Sequence, residues 1–395
     1  MNVNPVGWAS SSLRLVARLF NSGVNSTVPV TAISEAPVGV ANADIALVAK
    51  GTGATLAQVP DGTSSGGDKR GIYATDLQKF RTGSTYVASG SYSFIGGGQN
   101  NIANGNYSVV CGGQDHTYGT TFNTFLGGGY DNRTTGSYAA LVGGASNIAS
   151  SSYSFVGGGQ SNAAQTSSHA AVCGGSGNTA SGAYSFVGGG QNLSATATNS
   201  TVCGGQNNTS SGAYSFVGGG QTNFTSAAYT FISGGRRGNG RSIIGYHVFP
   251  ACSIPVADAS GVSQSALLLL GRQTTDATAT VLASDTSAAS TTNQVILPNN
   301  SAYSFSGEVI AGVTAAGATA RWTIGGAIKR GANAASTVMV GTPTVTRTHN
   351  DGASNSWVVA VTADTTNGGI AVTVTGAAAT TIRWVCRIDT TEMTY

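Results

Sequence analysis

An internal repeat between residues 83 and 235 constrains the fold more than any other feature of the chain. Each copy has two adjacent apolar residues followed by glycines, as in Phe94-Ile95 and Phe155-Val156. Ten copies follow one another at spacings of 14 to 17 residues. This period is too short for helical hairpins or propeller blades. It predicts an all-β fold with a short-repeat β-solenoid or β-roll of about ten coils, each with two short strands and two turns.

The two apolar residues of each copy point in opposite directions, because neighbouring side chains on a strand alternate between its faces. A single solenoid would bury one of them and leave the other as an apolar column in water. Columns of that size are rare on soluble monomers. The pattern therefore predicts that further copies of the chain cover this face, in an intertwined homotrimer.

Three of the five cysteines, Cys111, Cys173 and Cys203, lie within the repeat. Aligned on the apolar pairs, they take the place of Ile, Leu or Val, so we expect them to act as small apolar side chains. The chain has no C-x-x-C pair, and no cysteine lies at metal-ligand spacing from a histidine. The sequence thus predicts no metal site and no cofactor.

Charged residues make up only 8% of the chain, against roughly 25% in an average protein. The one basic cluster, Arg236, Arg237 and Arg241, lies in a Gly-rich segment that we interpret as a solvated junction. Without a basic stripe or a long apolar span, the sequence predicts neither nucleic-acid binding nor membrane insertion. The first residues lack the pattern of a signal peptide, so we expect synthesis and folding in the cytoplasm.

The organisation along the chain predicts four regions: an N-terminal attachment region over 1–82, the repeat shaft over 83–235, a junction over 236–262 and a tip domain over 263–395. The last region contains Trp322, Trp357 and Trp384 and strands of clean apolar-polar alternation. It is predicted to be an antiparallel β-sandwich, with the tryptophans in its core.

Hydrolytic chemistry has little support in the sequence. A glycoside hydrolase uses two carboxylates about 5–10 Å apart, and the repeat offers only Asp115 and Asp131, one coil apart. The four histidines are scattered, and no G-x-S-x-G motif occurs. We therefore predict no catalytic residues and no enzymatic activity. A polysaccharide depolymerase is the alternative from another functional class.

Two stretches of the chain resemble known families. The copies SYSFIGGGQNNIANGNYS and GAYSFVGGGQNLSA resemble repeats of phage tail fibres and the short head repeats of trimeric autotransporter adhesins. The end of the chain, including SWVVAVTADTTNGG and TIRWVCRIDTTE, is similar to a domain found at the ends of many phage tail proteins. The resemblance implies a virion tail fibre, a homotrimer, and a role in adsorption to the host. A bacterial trimeric surface adhesin is the structural alternative.

The expected contact with the host lies in the C-terminal region, since loops on a rigid scaffold commonly carry binding. The most polar loop there contains His349, Asn350, Asp351 and Asn355, which we predict as binding residues. The predicted partner is a host-surface glycan or an outer-membrane protein, bound by several weak contacts at once. Other tail or virion proteins are expected to hold the N-terminal region.

Overall fold

The computed structural model describes residues 52–119, 121–314 and 317–395, together with an antiparallel pair of short strands, Leu19–Phe20 and Val30–Thr31. The chain divides into two compact units, Met1–Val48 and Ala49–Tyr395. Most of the predicted attachment region therefore lies outside the described residues. In the described part, no helix is long and apolar enough to cross a membrane.

The shaft is a stack of short parallel strands. The pairing runs from each strand to the equivalent strand of the next coil. The sequence motif starts at residue 83, but the ladder begins earlier, with the pairing of Thr55–Leu56 and Thr75–Asp76. Its strands are Thr55–Leu56, Thr75–Asp76, Phe94–Ile95, Val109–Val110, Phe125–Leu126, Ala140–Leu141, Phe155–Val156, Ala171–Val172, Phe186–Val187, Thr201–Val202, Phe216–Val217 and Phe231–Ile232.

A second ladder of parallel strands runs along another side of the shaft, and single bridges after the glycines form a third line, as between Gln191 and Gln206. The strands of the second ladder are Thr117–Tyr118, Arg133–Thr134, Ile148–Ala149, Ala163–Ala164, Thr179–Ala180, Ser194–Ala195, Thr209–Ser210 and Phe224–Thr225. The prediction of an all-β solenoid is confirmed. The solenoid has about eleven turns. At roughly 4.8 Å per stacked strand, these turns make a rod on the order of 50 Å long.

The interior of the shaft consists of columns of one residue per coil. In the first ladder, the second residue of every strand from Phe94–Ile95 to Phe231–Ile232 is fully buried, as at Leu126, Val156 and Val217. A second column is polar: Asn132, Asn147, Asn162, Asn178, Asn208 and Asn223 are each at most 1% exposed. Buried amides persist only when they are hydrogen-bonded.

The asparagine column satisfies that condition by a repeating set of bonds. Asn162 Nδ2 donates to the carbonyl oxygens of Gly158 and Gly175, both at 2.8 Å. Its Oδ1 accepts the backbone N–H of Asn178, 3.0 Å away in the next coil. Glycine is required at Gly159, because its φ is +86° and a Cβ there would collide with the backbone of the next coil.

The alignment of the cysteines with the apolar column was wrong. The strand pairs Phe155 with Ala171 and Val156 with Val172, so Cys173 follows the buried position by one residue. Cys111 and Cys203 are shifted in the same way, and all three side chains are exposed. They stand where other coils have the first glycine of the GGG run, as Cys173 does relative to Gly157. The error arose because some copies have three glycines and others two, so that aligning the two apolar residues before the glycines shifted VVCGG by one position against FVGGG.

The last strand of the shaft joins it to the C-terminal strands without a break. His247–Pro250 pairs in parallel with Phe231–Ile232 and antiparallel with Ser263–Thr274. From there a large antiparallel sheet continues in the order Ser263–Thr274, Ile382–Thr394, Ser301–Val313, Thr319–Arg330, with Val338–Met339 and Thr344–Asn350 at its far edge.

A smaller antiparallel sheet has Gly369–Thr375 at its centre, paired with Val358–Asp364 on one side and with Thr280–Val281 and Val295–Ile296 on the other. Side chains of both sheets share one core. Trp322, Trp357 and Trp384 are at most 3% exposed, with ring centroids 5.7 Å apart in two pairs, so their predicted core position is confirmed. The one described helix is a 3-10 turn, Ala334–Ser336, capped by Asn333.

The junction is not uniformly solvated, which corrects the interpretation of its arginines. Arg241 is largely buried, and its Nε donates to the buried carboxylate of Glu392 at 3.2 Å. Gln264 Nε2 donates to the same carboxylate at 2.8 Å, and the hydroxyl of Tyr246 also bonds to it. Arg236 and Arg237 do lie near the surface, where both pair with Asp258.

Candidate functional site

The predicted binding residues lie at the end of the C-terminal sheet that is farther from the shaft. His349 and Asn350 end the strand Thr344–Asn350, opposite Arg321 and Ala320. Arg321 and Ala320 belong to the neighbouring strand Thr319–Arg330, which begins at this end of the sheet. Its last residue, Arg330, lies at the shaft end, where Ser301 pairs with both Arg330 and Thr394. We call residues 349–355 the distal loop. All its residues except Ser354 are exposed.

Hydrogen bonds hold the distal loop in one shape. Asn350 Nδ2 donates to Asn355 Oδ1 at 2.6 Å, and the Thr319 N–H donates to Asp351 Oδ2 at 2.5 Å. The structure thus brings Asn350, Asp351 and Asn355 together at one turn. His349 lies beside them on the strand, and no hydrogen bond to its ring is among those described.

Arg347 connects the distal loop to the core of the C-terminal region. Its NH1 donates to the carbonyl oxygen of Asn355 at 3.1 Å, its NH2 bonds to the carbonyl of Trp357, and the guanidinium lies 4.9 Å from the centre of the Trp322 ring. The loop is therefore attached to the core through a cation–π contact. Prediction from the sequence did not identify Arg347, although its place among alternating Thr residues marks it as inward-facing.

The shaft carries an exposed aromatic column that the sequence analysis did not treat as a surface. A tyrosine precedes most strands of the first ladder, is about half exposed and adopts a left-handed backbone conformation, as at Tyr153 with φ +58°. Side chains of this type rarely occupy that region. Their rings stack along the rod at centroid distances of 4.6–5.1 Å, and His169 continues the stack between Tyr153 and Tyr184. Asn123 and Asn199 take the tyrosine position on two coils and interrupt the column.

The outward residue of the apolar pair forms a second surface column. Phe125, Phe155 and Phe186 are 37–40% exposed, and Ala140 and Ala171 lie between them. The column is thus corrugated, with a phenylalanine on every second coil in this stretch. The sequence correctly predicted that one residue of each pair is buried and the other lies at the surface.

The two carboxylates of the repeat lie on adjacent coils. Asp115 and Asp131 occupy equivalent corners, since the N–H of Asp131 donates to the carbonyl of Gln114 and the N–H of Asp115 to that of Gln99. Asp115 accepts from Asn100 Nδ2 at 2.8 Å and Gln114 Nε2 at 2.9 Å. Stacked coils place such corners roughly 4.8 Å apart.

His116 lies behind these carboxylates, in the buried asparagine column. Its Nδ1 accepts the N–H of Asn132 at 3.2 Å, and its Nε2 is buried without a hydrogen-bond partner. Burial lowers the pKa of His116, although Asp115 and Asp131 act in the opposite direction. The ring is therefore a neutral member of the ladder, and it does not face solvent beside the carboxylates.

The described residues contain no group of His, Cys, Asp and Glu side chains that could hold a metal ion. Asp115 and Asp131, on neighbouring coils, are spaced as a pair of carboxylates that could flank a bound sugar.

No protein-family model and no curated protein matches the chain. Among solved structures, it is similar to the tailspike protein of Acinetobacter phage vB_ApiP_P1, with 11% identity over 87% of this chain and 74% of that chain, at a TM-score of 0.24. It is also similar to the tailspike gp49 of Acinetobacter baumannii bacteriophage Fri1, described as a capsular polysaccharide depolymerase, with 8% identity over 85% and 70% and a TM-score of 0.21. A third is the tailspike of Acinetobacter baumannii phage AM24, with 10% identity over 85% and 69% and a TM-score of 0.19.

Likenesses at these TM-scores do not by themselves assign a function to the chain. One of these neighbours is nevertheless an enzyme, and this contradicts the prediction of no enzymatic activity. That prediction rested on the scarcity of carboxylates along the repeat. Scarcity is a poor criterion here, because a glycosidase mechanism needs only one pair of carboxylates, and Asp115 and Asp131 on adjacent coils supply such a pair.

Proposed function

We propose that the chain is a structural virion protein, a phage tail fibre or spike that attaches the particle to the host surface. The observation that carries this proposal is the continuous hydrogen bonding from shaft to C-terminal sheet through His247–Pro250. A rigid rod of this kind holds an exposed loop away from whatever anchors its other end. The sequence resemblance to tail fibres points the same way.

Within this proposal, the distal loop binds a host-surface glycan or an outer-membrane protein through His349, Asn350, Asp351 and Asn355. The N-terminal region holds the chain to other tail proteins. Several copies per particle convert weak contacts into durable attachment. Asp351 bonds to Thr319, so it also maintains the shape of the loop.

The test is competition by purified full-length protein for adsorption of intact particles to host cells. We expect the double variant His349→Ala/Asn355→Ala to compete at least 10-fold less well, with an unchanged melting temperature. Thr346→Ala, on an exposed site of the same strand, is the matched control. If the double variant competes as well as the parent protein, binding does not occur at the distal loop.

We further propose that three copies associate along the phenylalanine column. Phe125, Phe155 and Phe186 retain 37–40% of their surface in the isolated chain, in a stretch with almost no charged residues. Covering them removes apolar surface from water. The exposed thiols of Cys111, Cys173 and Cys203 lie two residues after this column in their coils. Their reactivity therefore measures whether this face of the shaft is covered.

In the trimer, we expect a thiol reagent to modify Cys252 quickly and these three cysteines slowly. Sedimentation of the same sample should give a trimer at micromolar concentration. Equal reaction rates for all four exposed thiols, or a stable monomer, would show that this face remains uncovered.

A second candidate function is polysaccharide hydrolysis by Asp115 and Asp131. It is favoured by their equivalent positions on adjacent coils, since retaining glycosidases hold two carboxyl groups about 5–5.5 Å apart. Incubation with host-surface polysaccharide and assay of new reducing ends tests it. Release that disappears in both Asp115→Asn and Asp131→Asn supports hydrolysis. Release that persists in both variants rules out this pair.

A further inference from the structure

A cleft of about 530 Å³ lies where the shaft meets the C-terminal strands. Its shaft side includes Asn239 and Arg241, and its other side includes Pro298, Arg330 and Thr366. We call it the junction cleft. Its volume lies within the range of pockets that hold small ligands, and such pockets are frequent where two structural regions meet.

Both sides of the junction cleft are held in place. The Ile244 N–H donates to the carbonyl of Thr292 at 2.7 Å. Gln264 and Asn239 exchange two hydrogen bonds, each 2.9 Å long. The cleft is therefore a feature of the folded chain and requires no rearrangement to form.

The cleft contains a cation without a counterion. Arg330 NH1 donates to the carbonyl oxygens of Leu297 at 2.6 Å and Gly368 at 3.4 Å, which fixes the guanidinium. Its Nε is buried without a hydrogen-bond partner. No carboxylate in the described part of the chain forms an ion pair with Arg330. Arg241, in contrast, is neutralised by Glu392.

The rest of the lining is uncharged and mixed. Pro298, Ile296 and Ala334 provide an apolar wall. The side-chain hydroxyls of Thr291 and Thr366 also line the cleft, and neither makes a hydrogen bond among the described residues. An apolar wall, free hydroxyls and one fixed guanidinium match a sugar ring that has an apolar face, hydroxyl groups and a single carboxylate.

We propose that the junction cleft binds a carboxylate-bearing sugar, such as one unit of an acidic host-surface glycan, and that Arg330 holds its carboxylate. This inference rests on the proposed attachment function and adds a site and a ligand class to it. The site lies at the opposite end of the C-terminal sheet from the distal loop. A glycan held at both ends would run along the side of this sheet.

The direct test is titration of the full-length protein with sodium glucuronate at low salt, with binding detected by calorimetry or ligand-observed NMR. Glucose at the same concentration is the neutral probe. We expect binding of glucuronate only, with an affinity that falls as salt is added, because the contact is electrostatic. Equal binding of glucose, or no binding of glucuronate, would overturn the inference.

Variants assign the binding to the cleft. Arg330→Gln should weaken glucuronate binding at least 10-fold, whereas Lys329→Gln, which removes the adjacent exposed cation, should leave it unchanged. If Arg330→Gln fails to fold, Arg330→Lys keeps the charge without the planar fork, and an intermediate loss is expected. Unchanged binding in a folded Arg330 variant would exclude the cleft.

Adsorption of the same proteins to host cells separates the two proposals. If the parent protein adsorbs but does not bind glucuronate, the cleft inference is wrong and the attachment function stands. If the parent binds glucuronate in an Arg330-dependent manner but does not adsorb, the cleft is a sugar site and the attachment function is wrong.

Discussion

Replacing Asn162 by Leu tests how the asparagine column stabilises the shaft. The Asn162 side chain takes part in three hydrogen bonds of 2.8–3.0 Å, two to glycine carbonyls and one from the Asn178 N–H. Gly175 O also accepts the N–H of Gln160 at 2.9 Å, so it would keep a partner. The Gly158 carbonyl and the Asn178 N–H would be left without theirs.

An unsatisfied buried group costs about 1–3 kcal/mol, which gives about 2–6 kcal/mol for these two. Burial of the leucine side chain offsets about 1.5–3 kcal/mol of that loss. The middle of the first range is about 4 kcal/mol and that of the second about 2 kcal/mol, so we expect Asn162→Leu to lower the free energy of unfolding by about 2 kcal/mol.

The chain contains its own reference for this substitution. Leu193 occupies the column between Asn178 and Asn208, accepts no N–H through its side chain, and is 1% exposed. Near it, Gly190 has a φ of +142°, whereas Gly159 and Gly175 have +86° and +91°. The backbone thus adjusts where the amide is missing. Leu193→Asn should reverse the effect and raise stability.

The assay is urea unfolding followed by circular dichroism, with the slope of the transition checked for constancy among variants. The midpoint should fall for Asn162→Leu and rise for Leu193→Asn. An Asn162→Leu protein at least as stable as the parent would refute the reasoning, because the ladder would then contribute no more than an apolar column. Loss of stability in both variants would show that shape complementarity outweighs hydrogen bonding.

Three further predictions concern buried ionisable groups. Burial lowers the pKa of His116 below its usual 6.5, so between the two pKa values the unfolded chain binds a proton that the folded chain does not. The stability of the protein should therefore fall as the pH drops below about 6.5. The melting temperature should decrease from pH 7.5 to pH 5, and this decrease should be smaller in His116→Asn. Burial raises the pKa of Cys386 to about 12, so at pH 8 a thiol reagent should modify exposed Cys252 in the native protein and Cys386 only in urea; modification of native Cys386 at the rate of Cys252 would contradict its burial. Glu392→Gln leaves Arg241 without a counterion and should destabilise the protein by about 3–5 kcal/mol, whereas Glu308→Gln, in the exposed pair with Arg321, should change stability by less than about 1 kcal/mol in the same urea assay.

The sequence alone determined the class of fold, because the repeat leaves few alternatives. Two apolar residues and a glycine run at intervals of about 15 residues can stack only as short strands, so the β-solenoid and its buried column were predictable. The tryptophans of the last region were predictable as core residues for a similar reason, since they alternate with polar residues along strands.

The tertiary structure decided which residue of each coil faces inward. In VVCGG and FVGGG the apolar residues are consecutive, and a shift of one position moves every side chain to the other face. Only the pairing of Ala171 with Phe155 shows that Cys173 faces solvent and Val172 faces the core. The buried asparagine ladder was hidden for a different reason: its partners are backbone groups of neighbouring coils, which sequence patterns do not reveal.

The candidate sites divide in the same way. The distal loop was predictable as a polar turn between two strands, because both the alternation and the turn are local in sequence. The junction cleft was not, because Arg241 and Arg330 come from segments 89 positions apart and have different surroundings. Their charges look alike in the sequence, but Arg241 faces Glu392 and Arg330 faces carbonyl groups. The environment of an ionisable side chain is set by what the folded chain places around it, and that depends on contacts between distant residues.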